Sequence, residues 1–145
     1  PAYCPYNWRF WWDFGTGETG NWGCHILDIP YWALKLEHAI HVKAWGPEID
    51  PERTPKSMYA TYKFPARPNM TAVKLHWYHT NEKPEVFKEN QLPGWGNNLF
   101  IGTKGMLLCD FGKRQLFPED KFKDFKEPEK KDRKRPQQKP AATGQ

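Results

Sequence analysis

The 145-residue chain has no run near the roughly 20 consecutive apolar residues that a bilayer span requires. A membrane partner is therefore not expected. No charged stretch leads into an apolar one at its start, so no secretory signal is read and a cytoplasmic location is the expectation. Pro1 stands where an initiator Met would, so an upstream portion, removed or not captured, is expected. Cysteine is scarce, and Cys4, Cys24 and Cys109 are odd in number. Reduced thiols suit that count better than a disulfide framework. Residues 118–145 lack Trp, Leu, Ile and Val altogether, and from Glu127 they lack aromatics as well. Such a segment cannot bury enough apolar surface to offset its ordering entropy, so 126–145 is expected to be a disordered, charged tail.

What the chain has in quantity is aromatic. Phe, Trp and Tyr make up 16% of it, with eight Trp, against 27% charged residues. The formal net charge of +5 first suggests an acidic partner. Residues 118–145 hold nine Lys/Arg against six Asp/Glu, whereas residues 1–117 hold 13 against 11. The body is nearly neutral and most of the excess sits in a solvated tail, so nucleic acid is not expected as a partner.

The hydrophobic period changes along the chain. After an aromatic, glycine-rich approach over 1–20, Trp22, Ile26, Ile29 and Leu34 recur at helical spacing and predict a helix over 21–37. Asn21 or Thr19 is its expected cap, and Pro30 is expected to kink or restart it behind Asp28. From Ala39 the period is two. Ile40, Val42 and Ala44 alternate with polar neighbours, as do Met58, Ala60, Tyr62 and Phe64, and Val73, Leu75 and Trp77. The connections are too short for a crossover helix, which predicts an antiparallel meander. A polar loop is expected over 80–98. LFIGTKGMLLCDF then reads as a hairpin with Gly102 and Gly105 at its tip, and QLF as a last short strand. The expected class is α+β, one helix packed on a largely antiparallel open sheet of five to six strands. One helix covers only part of such a sheet, so a further chain or domain is expected to complete it.

Four constellations could carry chemistry. Gly15, Gly17 and Gly20 in GTGETG spell the dinucleotide pattern G-x-G-x-x-G. Its context is wrong, because the preceding FWWDF is no Val/Ile-rich buried strand and no βαβ repeats follow. The glycines are read as letting the aromatic approach turn sharply into the helix, with no cofactor held by this chain. Asn21, His25 and Asp28 fall at spacings of four and three and share one helical stripe. A His between an amide and a carboxylate suits proton transfer, and equally suits a hydrogen-bonded loop–helix joint. His38/His41, His76/His79 and Cys24-His25 resemble metal-ligand pairs. Residues three apart on a strand face opposite sides, however, and no metal is expected. Finally, Tyr3, Tyr6, Trp8, Phe10, Trp11, Trp12 and Phe14 crowd the entry to the helix, where flat rings beside polar groups suit either sugar stacking or ordinary packing.

WRFWWDFGTGETGNWGCHILDIPYWALKL resembles the C-terminal domain of the Gfo/Idh/MocA oxidoreductases, the bacterial type in particular. The likeness runs on through NNLFIGTKGMLLCDFGKRQLFPEDKF and so spans residues 1–125. It implies a substrate and oligomerisation domain, joined in the whole enzyme to an N-terminal Rossmann domain that binds NAD or NADP and carries a catalytic Lys. Neither that domain nor its Lys is in this sequence, so the isolated chain is expected to be inactive. The implied activity is hydride transfer on a sugar or cyclitol alcohol, with self-association through the sheet. His25 matches the family's catalytic His. Asn21 stands where an Asp is usual, and it can orient but cannot accept a proton. Trp8, Arg9, Trp12, Asp13 and Asp28 are the expected substrate contacts. The competing expectation is a non-catalytic, aromatic-rich carbohydrate-binding module.

Overall fold

The structure is a computed structural model and describes residues 2–79 and 83–129. A long helix, α1 (Gly17–Ala33), is followed by three strands, β1 (His41–Trp45), β2 (Met58–Phe64) and β3 (Val73–His79). A short helix, α2 (Glu85–Glu89), then leads into β4 (Asn98–Gly102), β5 (Gly105–Cys109) and β6 (Arg114–Phe117). Single 3-10 turns at Asn7–Phe10 and Glu119–Phe122 flank the whole.

Helix α1 starts and stops earlier than its apolar spacing predicts. Gly17 takes φ +65, which lets the aromatic approach turn directly into the helix, and Thr16 rather than Thr19 or Asn21 is the N-cap. Pro30 lies inside the helix without ending it, and Asp28 caps nothing. The N–H that Pro30 lacks removes a single bond in the last turns, and its ring is buried. The stop comes at Lys35, whose φ of 48 reverses the chain so that Leu36 N–H donates to Tyr31 O at 2.9 Å. Arg67 closes the end by donating from Nη2 to Leu34 O at 3.0 Å.

The strands form two three-stranded antiparallel sheets, β1-β2-β3 and β4-β5-β6, and not one open sheet. The physical reason lies in residues 83–98, which are no polar loop. Phe87 on α2 and Leu92 after it are buried with Leu108 and Phe117, while Val86, Trp95, Leu99 and Met106 pack around them. That cluster gives the second sheet a core of its own, so it has no need to extend the first.

The first sheet buries one face against α1. Ala60, Phe64 and Trp77 are buried there, and the Tyr31 ring meets Phe64 edge-on at 5.7 Å. Thr19 ties helix to sheet, accepting from Trp77 Nε1 at 3.1 Å and donating to Met58 Sδ at 3.1 Å. Cover stops short of β1, every residue of which is exposed. The opposite face aligns Trp45, Tyr59 and Tyr78 in one row across the three strands, and Lys43, Thr61 and His76 in the next.

Candidate functional site

The expected stripe forms. Asn21, His25 and Asp28 lie within α1, and its inward face is carried instead by Thr19, Gly23 and Pro30. His25 and Asp28 are exposed, and Trp22 meets the His25 ring edge-on at 6.1 Å. Trp22, Tyr31 and Trp32 are exposed on the same helix, Trp32 to 63%. Aromatic rings on the solvent side of a helix mark a surface built to be covered. His25 therefore stands beside the exposed Trp22 ring on a regular helix, with its own side chain exposed.

The expected substrate contacts Trp8, Arg9, Trp12 and Asp13 lie in the approach to α1. Arg9 is held over the rings of Tyr6, at 4.4 Å, and Trp8, at 4.6 Å. Asp13 is exposed. Trp12 is pinned twice to the loop before β2, donating from its backbone N–H to Glu52 O at 3.0 Å and from Nε1 to Asp50 O at 3.1 Å. That loop is itself ordered by Asp50, whose Oδ1 accepts from the backbone N–H of Glu52 and Arg53. Arg53 covers the Trp11 ring at 4.4 Å, and Tyr3 packs edge-on against Trp11 and Phe14. Within the N-terminal aromatic cluster, among the described residues, Trp12 alone makes no ring or cation contact.

The glycine loop serves packing. A Cβ on Gly15 would lie 2.5 Å from Arg9 O, one on Gly17 2.6 Å from Thr54 Oγ1, and one on Gly20 1.7 Å from Thr16 Oγ1. These glycines admit the chain's own atoms, and a 3-10 turn rather than a buried strand precedes them. Such a loop does not fit a dinucleotide's phosphates.

A pocket of about 160 Å³ opens beside this loop, lined by Trp12, Glu18, Thr19, Thr54, Met58 and His79 among others. Glu18 accepts from the Tyr6 hydroxyl at 2.8 Å, and that bond, more than burial, raises the Tyr6 pKa. His79 Nδ1 is 3.5 Å from Thr19 Oγ1. Burial lowers the His79 pKa against the opposing pull of Glu18, so its ring is neutral at neutral pH. Glu18, Thr54 and His79 escaped sequence reasoning because three distant segments supply them.

His76 and His79 do lie on opposite faces of β3, and His76 belongs to the outer one. Tyr59 Oη shares a hydrogen bond with its Nδ1 at 2.5 Å, and Thr61 Oγ1 donates to Tyr59 Oη at 2.9 Å. Burial foremost, and then Lys74, lowers the His76 pKa. Among the described residues no group of three or more His, Cys, Asp and Glu could hold a metal ion. No helix there is long and apolar enough to cross a membrane. Comparison with protein-family models finds no match to this chain, and neither does a search of curated proteins.

Proposed function

We propose that this chain is the substrate-binding and oligomerising half of an NAD(P)-dependent oxidoreductase of the Gfo/Idh/MocA kind, acting on a sugar or cyclitol alcohol. The observation that carries the reading is the outer stripe of α1, on which His25 and Asp28 are exposed, Asn21 is half-buried, and the exposed Trp22 and Trp32 belong to the same helix. An acid/base group works where a substrate can reach it, and exposed rings are what a docking domain covers. The close packing of Gly15, Gly17 and Gly20 against the chain's own atoms supports a cofactor held by another domain.

What this chain contributes is a proton site and its orientation. His25 takes the proton of the substrate hydroxyl at a ring nitrogen, or returns it in the reverse direction. Asn21, one turn earlier on the same stripe, hydrogen-bonds and orients without exchanging a proton. Asp28, nearly one turn later, is a carboxylate acceptor for a neighbouring hydroxyl. Covering the stripe with a second domain excludes water and strengthens each of these bonds.

The reading is tested in the enzyme that joins this chain to its nucleotide-binding domain. Asn21→Asp should retain or raise kcat, and Asn21→Ala should lower it by less than His25→Ala does. An Asn21→Ala variant with the same kcat and KM as the parent removes the stripe from the reaction. NADH titrated against this chain alone should give no saturable quench of Trp fluorescence. Micromolar binding lost on Gly17→Val would place the nucleotide on this chain and overturn the division of labour.

A further inference from the structure

The pocket beside the glycine loop lies two turns ahead of His25 on α1. Glu18 precedes His25 by seven residues, on the same face of the helix and about 10 Å away along its axis. Four features coincide in it. Thr54 is only 6% exposed, its backbone N–H is used by Phe10 O at 2.9 Å, and its Oγ1 is buried without a hydrogen-bond partner. Trp12 is held by two hydrogen bonds to the 50–52 loop, is 47% exposed, and packs its ring against no other ring or cation among the described residues. Glu18 has one carboxylate oxygen bound to Tyr6 and a second with capacity to accept. His79 lines the pocket with its Nδ1 3.5 Å from Thr19 Oγ1.

The donor set selects the ligand's chemistry. A carboxylate in the lining repels an anion. A cation would face the start of α1, whose free N–H groups make that end electropositive, with a single carboxylate to hold it. Neighbouring hydroxyls suit every group at once. They donate to Glu18, exchange hydrogen bonds with Thr54 and the neutral His79, and leave a C–H edge to lie on an indole. A volume of 160 Å³ is that of about five waters, the scale of a triol or one small ring. We propose that this pocket, with Trp12 as its wall and Glu18, Thr54 and His79 as its polar contacts, binds a small neutral polyol. The inference does not depend on His25.

The test is NMR titration of this 145-residue chain, following the Trp12 indole N–H and the Gly17, Glu18 and Thr54 amides. Probes are glycerol, myo-inositol and D-glucose, with acetate and methylammonium as charged controls. At least one neutral polyol should give saturable shifts confined to those signals. Thr54→Val and Glu18→Gln, each with a dispersed spectrum showing that it folds, should weaken binding roughly three- to tenfold. His25→Ala should leave it unchanged, so failure here is distinct from failure of the proposed catalytic role. The proposal is overturned if no polyol saturates by about 100 mM, if either charged control binds as tightly, or if Thr54→Val binds like the parent.

Discussion

Two glycines six residues apart, Gly17 and Gly23, carry opposite consequences at the scale of single side chains. Gly17 holds φ +65, and a Cβ there would meet Thr54 Oγ1 at 2.6 Å. Gly17→Ala should therefore cost about 1–3 kcal/mol, read from the denaturant midpoint. Gly23, inside α1, has nothing within 4 Å of its virtual Cβ. Gly23→Ala should stabilise by about 0.4–1 kcal/mol, because only the unfolded chain loses freedom. Equal effects at the two sites would contradict the loop geometry. The histidines give a pH test. His76 and His79 both have pKa values lowered in the fold, chiefly by burial, so the unfolded chain binds their protons more readily. Stability should fall as pH drops below about 6.5, the ordinary His value, and be fully present above it. His76→Gln with His79→Gln should flatten that part of the profile of melting temperature against pH. An unchanged profile would assign the acid loss elsewhere.

At the scale of elements, period was the legible quantity and non-local cover was not. The alternation in β1, β2 and β3 located all three strands and put Trp45, Tyr59 and Tyr78 on one face, as their register shows. The Gly102/Gly105 hairpin and the short final strand also form where they were expected. Helix ends were less legible, because Gly17 and Lys35 act through backbone conformation that apolar spacing does not encode. The division into two sheets was hidden by Phe87, Leu92 and Trp95, which are scattered among polar residues without a period. Their role has a direct check. Phe87→Ala should cost about 3–5 kcal/mol if α2 belongs to the second core. A cost under about 0.5 kcal/mol, usual for an exposed loop site, would return 83–98 to a surface loop.

At the scale of the whole molecule, the described residues leave large apolar side chains in water. Ile40 is exposed just ahead of β1, Val42 and Trp45 on β1, Ile101 on β4, and Trp22 and Trp32 on α1. β1 is also an edge strand with no partner on its outer side in its sheet. Uncovered edges and rings of this kind drive association. Sedimentation should accordingly show mass rising with concentration, and a monomer at every concentration would contradict it. The same exposure explains which parts of the candidate site could be read from sequence. Asn21, His25 and Asp28 lie on one local helical stripe, so spacing alone assembled them. The Trp12–Glu18–Thr54–His79 pocket is a property of the tertiary fold, and spacing could not reach it.

The central claim is that His25 moves a proton rather than packing a joint. The most direct measurement is kcat and melting temperature on one preparation of His25→Ala, in the enzyme that joins this chain to its nucleotide-binding domain. Catalysis predicts a kcat lowered roughly 10²- to 10⁴-fold, the usual contribution of a positioned proton-transfer group, with the melting temperature nearly unchanged because the ring is exposed. A lowered melting temperature with kcat intact would make His25 a packing residue and end the catalytic assignment.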